Sequence, residues 1–251
     1  MKKILIDFGT VNLKFLVGFG LAGLGLFMVN RRIRSSKSNK NWKKEREKSN
    51  LLDMIEFGNS NAMNNYALIQ EKEGNLEEAK KYYKLAIEFG NATSMFNYAT
   101  ILEHEGKIEE AKIFYLDAIK KNNFSAIYNY AHLLEDEGNL EEAKKYYLDA
   151  IDVGDSDAMN NYASIMLDEG KKEEAKNLYL KAIQLGNTCA MHNLGIMLEN
   201  EGNLEDAKLI YQNAADLQHY DSVLTLITIL EKENNIEELN KYKQIAEKLK
   251  K

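Results

Sequence analysis

The chain has 251 residues, 33 Lys/Arg against 39 Asp/Glu, no proline and a single cysteine, Cys189. One cysteine excludes an internal disulfide framework, and a reducing compartment is the natural reading. The net charge of −6 conceals an asymmetry: residues 1–50 hold 12 Lys/Arg against 3 Asp/Glu and the rest hold 21 against 36, so the acidic body lacks the clustered cations that nucleic acid requires.

The first element in chain order is apolar. Phe15–Val29 is an uncharged run of 15 residues, and extending it back to Val11 gives 19. As a helix, residues 11–29 would be about 28 Å long, close to the roughly 30 Å of a bilayer's hydrocarbon. Lys14 sits near one end, where its stem can snorkel. No small-residue cleavage site follows; "NRRIRSSK" does, which favours a retained span over a cleaved signal. A single transmembrane helix within residues 1–30 is therefore expected. Arg31, Arg32, Arg34, Lys37, Lys40, Lys43 and Lys44 lie just after it, which by the positive-inside rule places the body in the cytoplasm. Gly18, Ala22 and Gly25 share one helix face, a small-residue stripe that suits weak self-association. Residues 31–50 read as a basic juxtamembrane linker, one able to lie on anionic lipid.

Beyond it the sequence repeats. "EGNLEEAKKYY" stands at Glu73–Tyr83 and again at Glu137–Tyr147, with "EGKIEEAKIFY" midway and "EGKKEEAKNLY" and "EGNLEDAKLIY" after. The period is 32 residues, and a worn sixth copy, "ENNIEELNKYK", closes the series. A fixed period of this length marks an array of supersecondary units. Units are expected at about 60–91, 92–123, 124–155, 156–187, 188–219 and 220–251, behind a lone capping helix at about 43–57. Thr225 and Leu239 break the pattern of the last unit, as suits a C-terminal cap.

Each unit reads as two helices. At 100° per residue, Met95, Tyr98, Ala99 and Leu102 form one apolar stripe, and Gly106 supplies a stop. The second helix carries Ala111, Tyr115, Ala118 and Ile119 on a similar stripe. Small residues recur where helices should cross closest: Ala67, Ala99, Ala131, Ala163 and Gly195 on the first helix, and Ala79, Ala111, Ala143, Ala175 and Ala207 on the second. Tyr83, Tyr115, Tyr147, Tyr179 and Tyr211 fill the larger gap between pairs. In the repeated phrase, Asn75 is expected to cap the second helix with Glu78 three residues on, and Leu76 to join Ala79 and Tyr83 in the core. Lys80, seven residues after Glu73 and repeated with it, is expected to offset that acid at a helix C-terminus.

This order of small residue, Gly, Ala, Tyr and Ala in "AMNNYALIQEKEGNLEEAKKYYKLAIEFGN" (Ala62–Asn91) and its following copies resembles the tetratricopeptide (TPR) family and its relatives, the Sel-one-like repeats. TPR units usually run 34 residues and often close with proline. Here the unit runs 32 and closes with Gly58, Gly90, Gly154 and Gly186, which is closer to Sel-like units but lacks their extra loop residues, so both subfamilies stay open. The resemblance covers about residues 59–251. It implies an all-α fold, a right-handed α-solenoid of helix pairs preceded by the single transmembrane helix, and a protein-binding scaffold. It also implies that the first helix of each pair lines a concave surface.

On that side of the wheel stand Asn65, Asn97, Asn129, Asn161 and Asn193, at equivalent places in five successive units, with Thr100, His104, His132, Asp136 and Asp168 around them. A carboxamide both donates and accepts, so such a row can hold an extended peptide by its backbone, as in the asparagine ladders of armadillo-type importins. The same residues can instead bond to the neighbouring repeat. The acidic neighbours favour a basic or polar peptide, and Lys72 and Lys232 are too few for the basic clamp of chaperone-binding TPR domains. His104, His132, His192 and His219 are scattered, with no nucleophile–base set and no glycine-rich phosphate loop. No enzyme activity, cofactor or metal is expected.

Overall fold

The computed structural model describes residues 42–250, and these form thirteen helices. The proposed span at 11–29, the Gly18/Ala22/Gly25 stripe and most of the basic linker lie outside the described residues. Among the described residues no helix is long and apolar enough to cross a membrane.

A first helix, α1 (42–56), precedes six antiparallel pairs. These are α2 (Ser60–Lys72) with α3 (Leu76–Glu88), α4 (Ala92–His104) with α5 (Ile108–Lys120), and α6 (Ser125–Asp136) with α7 (Leu140–Asp152). They continue with α8 (Ser156–Asp168) and α9 (Lys172–Gln184), α10 (Thr188–Asn200) and α11 (Leu204–Asp216), and α12 (Tyr220–Lys232) and α13 (Ile236–Leu249). Each second helix packs on the first helix of the next pair, so the chain stacks as an all-helical solenoid.

The turns are set by glycine. Between α4 and α5, Gly106 adopts φ +75°, its N–H donating to the Glu103 carbonyl at 2.9 Å and the Lys107 N–H to the Leu102 carbonyl at 2.9 Å. This double bond satisfies carbonyls that a helix end leaves open, and the left-handed backbone it needs costs glycine nothing. Asn122, Gln218 and Asn234 hold the same left-handed conformation at the worn turns.

The core follows the small–large alternation. Ala67, Ala99, Ala131 and Ala163 are fully buried, as are Ala79, Ala111, Ala143 and Ala175 on the facing helices. The five repeat tyrosines from Tyr83 to Tyr211 are buried to 1% or less. Met95, Tyr98, Ala99 and Leu102 form the buried stripe of α4 that the wheel places there, joined by Ser94 and Ile101.

Three local expectations are corrected. Leu76 is 45% exposed and Leu140 and Leu204 resemble it, whereas Ile108 at the same place is half-buried against the core; the buried stripe of α3 starts at Ala79. Asn75 does not cap α3: its backbone, at ψ 62°, is short of the extended value, and its amide donates instead to Gln70 Oε1 at 2.9 Å. Working caps stand on five of the first helices, where Asn59, Asn91, Asp155, Asn187 and His219 accept from backbone N–H groups, and on α13, where Asn235 accepts from the Glu238 N–H. Finally, Lys80 does not serve Glu73 but bonds Glu105 of the next unit at 2.7 Å, a 25-residue step repeated by Lys112–Glu137 at 2.7 Å and Lys144–Glu169 at 2.8 Å. The same step joins Lys48 of α1 to Glu73 at 2.7 Å. Lys48 stands 32 residues before Lys80, so α1 occupies the place of a second helix whose first helix is not among the described elements.

Candidate functional site

The polar face of the first helices is built by the repeat itself, because stacking places one copy of each side chain beside the next. Asn65 is exposed, and Asn97, Asn129, Asn161 and Asn193 are half-buried. Their amide N–H groups reach the preceding unit. Asn97 donates to Asn64 Oδ1 at 3.1 Å and Asn193 to Asn160 Oδ1 at 2.9 Å, while Asn129 donates to the Tyr115 hydroxyl at 3.1 Å and Asn161 to that of Tyr147 at 3.2 Å. Each carboxamide is thereby held in one orientation along the face. Asn65 and Asn161 also accept through Oδ1 from the amide of the residue before.

Four of the repeat tyrosines, Tyr115 and Tyr147 among them, donate in turn to a carboxylate. Tyr83 donates to Glu71 and Tyr115 to Glu103, both at 2.6 Å, Tyr147 donates to Glu135, and Tyr211 to Glu199 at 3.2 Å. Burial, reinforced by the carboxylate, pushes the Tyr115 phenol up to about 12, so it remains a donor at any ordinary pH. In the fourth unit Leu167 replaces the acid and Tyr179 pairs with the Ser164 hydroxyl at 2.9 Å instead. These Tyr–Glu links escaped the reading of the sequence. Their signal was a Glu twelve residues before the Tyr in four units, with the swap to Leu167 matched by Ser164.

The remaining candidates sit around this row. Thr100 donates to the Phe96 carbonyl at 3.0 Å and accepts weakly from Tyr115 at 3.4 Å. His104, Asp136 and Asp168 are exposed. His132 turns to Asp136 of its own helix at 3.4 Å and lies beside the Tyr128 ring, with 6.1 Å between ring centroids. No group of three or more metal-binding side chains exists among the described residues.

A second set of contacts ties the first helices at their N-termini. The cap Asn91 accepts from Ser94 N–H at 2.9 Å and donates to Asn61 Oδ1 of the preceding unit at 2.9 Å; Asn187 does the same with Ala190 N–H at 2.8 Å and Asp157 at 2.7 Å. One side chain thus ends its own helix and fastens the neighbour's. Amide caps of this type contribute about 1 kcal/mol each.

Comparison with known proteins agrees with the stack of helix pairs. The tetratricopeptide repeat model matches residues 60–89, 92–122, 124–153 and 156–186. Among solved structures, c5321, a protective antigen of uropathogenic Escherichia coli with an SLR fold, superposes with a TM-score of 0.64 at 21% identity, covering 73% of this chain and 44% of its own; this chain therefore spans less than half of that protein. A Sel1 repeat protein from Oxalobacter formigenes gives a TM-score of 0.64 at 23% identity, over 76% of this chain and 88% of the other. YrrB, described as a TPR protein with an unusual peptide-binding site, gives 0.52 at 21% identity over 70% and 96%. Among curated proteins no match is found. Four of the helix pairs thus match the tetratricopeptide repeat model, and the remaining pairs continue the same stack.

Proposed function

We propose that this protein is a membrane-attached interaction scaffold that holds an extended, polar or basic segment of a partner protein along the face of its first helices. The observation that carries the reading is the row Asn97, Asn129, Asn161 and Asn193, whose amides are each anchored by one N–H to the preceding unit. An oriented carboxamide loses little freedom when a peptide binds, and preorganisation of this kind is what converts polar contacts into affinity. Glu71, Glu103 and Glu135, with Asp136 and Asp168, keep the face acidic, which supports a partner rich in Lys or Arg. YrrB, of similar fold, is described as having a peptide-binding site. Attachment through residues 11–29, with the repeats in the cytoplasm, rests on the length of the apolar run and the basic residues after it.

The test uses the full chain beside a variant with Asn97, Asn129 and Asn161 changed to Ala, both screened against a library of extended basic peptides after their melting curves are compared. Selective loss of peptide binding in the variant, by about tenfold or more, is the expected result, each lost hydrogen bond being worth about 0.5–1.5 kcal/mol. A second reading, a stacking spacer without a peptide groove, is favoured by the same bonds to neighbouring units. It predicts lower melting in the variant with no peptide bound by either protein.

A further inference from the structure

The last seam of the stack, between α10 and α12, has the same architecture as the seam between α2 and α4 with two residues exchanged. In the earlier seam, Asn64 faces the buried Ser94, whose hydroxyl donates to Asn64 Oδ1 at 3.0 Å, and Asn91 caps the following helix. In the last seam the buried serine is Ser222, and His192 and His219 stand at the positions of Asn64 and Asn91. The two imidazoles are stacked obliquely with centroids 5.3 Å apart, and both Nδ1 atoms lie on the Ser222 hydroxyl, His192 at 3.1 Å and His219 at 2.9 Å. His219 Nδ1 also accepts from the Ser222 backbone N–H at 3.3 Å, which is the cap of α12.

Proton counting fixes the arrangement. An Nδ1 that accepts from a backbone N–H carries no proton, so His219 is the neutral Nε2–H tautomer and the serine hydroxyl donates to it. The hydroxyl has one hydrogen, so His192 Nδ1 must donate to the serine oxygen. The cap of α12 is made only while His219 is neutral. A proton on His219 Nδ1 opposes the Ser222 backbone N–H, which loses its acceptor, and sets a positive charge at the positive end of a helix.

We propose that the α12–α13 pair is docked through a pH-sensitive cap, closed at neutral pH and weakened on acidification. The groups bearing on the pair are few. From α12, Asp221 favours protonation of both rings. From α11, the Tyr211 ring lies 5.5 Å from His192, and its phenol is pushed up by burial and stays neutral. Burial dominates over Asp221, and both histidines are shifted below their ordinary value, His192 further lowered by its neighbour. With the folded values depressed, the unfolded pair binds more protons. The seam therefore keeps its full stability above about pH 6.5 and loses it as pH falls through the folded values.

The experiment is amide hydrogen exchange on the full chain at about pH 7.5 and about pH 5.5, read as protection in α12–α13 relative to α2–α4 so that intrinsic rates cancel. That ratio should fall about threefold or more at the lower pH. In a His192→Asn/His219→Asn variant, which recreates the Asn64–Asn91–Ser94 seam, it should stay constant. An unchanged ratio in the natural protein, or an equal fall in the variant, overturns the proposal. Should the variant not fold, imidazole titration of the natural protein by NMR decides: midpoints for His192 and His219 at or above about 6.5 overturn it, and lower midpoints support it.

Discussion

Gly195 shows how a single residue is fitted to its own seam. Four other units carry Ala at this place, yet a methyl added to Gly195 would lie 2.4 Å from Tyr211 Cε1. The Tyr211 ring occupies the space that the missing methyl leaves, beside His192. Gly195→Ala should therefore destabilise the protein by about 1–3 kcal/mol, as overpacking does, although Ala is the residue of the other units and the better helix former. Chemical denaturation measures it, and a stabilised variant would show that Tyr211 simply swings out. The same residues mark what the sequence displayed. Ala67, Ala79 and Tyr83 announce themselves by recurrence, but the partner of each tyrosine hydroxyl lies on another helix and is seen only once the helices are paired.

Elements were legible where a local rule decides them. Helix stops at Gly74, Gly106, Gly138, Gly170 and Gly202 follow from one residue's freedom at positive φ. Leu76 and Asn75 were misplaced because they sit at element ends, where exposure and cap geometry depend on the preceding helix and on a ψ angle that residue type does not set. The Lys80–Glu105 bridge was invisible for a related reason: it links different units across 25 residues, while Glu73 stands nearer in sequence. Exposed pairs of this kind are worth little individually. Glu105 is nonetheless held down to about 2 by Lys107 and Lys80, so its part in the bridges is kept above the ordinary carboxylate range and lost only as pH falls toward that value. The turn from α11 to α12 departs from the glycine rule, with Gln218 at φ +66°. A left-handed residue other than Gly or Asn costs about 1–2 kcal/mol, so Gln218→Gly should raise stability, by about 1 kcal/mol after the added chain entropy of glycine is subtracted. A lower melting temperature in that variant would mean the side chain makes a contact that offsets its backbone strain.

At the scale of the whole molecule, the period of 32 made the stack of pairs readable before any contact was known, because nearest-neighbour packing repeats whatever one unit specifies. The charge division is equally a property of the whole: a basic first fifth and an acidic remainder. For the proposed anchor this predicts that removing residues 1–30 shifts the protein from the membrane pellet to the supernatant while its helical circular dichroism per repeat is retained. Recovery of the shortened protein still in the membrane fraction would place attachment in the repeats themselves.

The seams carry one further consequence. Five near-identical units could in principle stack in the wrong order, or exchange with those of another molecule, since any second helix presents nearly the same Ala and Tyr to any first. The residues at successive seams differ, however: Asn64 meets Ser94 and His192 meets Ser222, while the equivalent positions between them hold Phe96 and Ala126, Tyr128 and Ala158, and Asn160 and Ala190. Set Asn64 against Ala126 and the amide loses the hydroxyl it holds; set Phe96 against Ser94 and a buried hydroxyl loses its acceptor, at a cost of about 1–3 kcal/mol. Sameness within the units builds the solenoid, and difference between them writes the address by which each unit finds its proper neighbour.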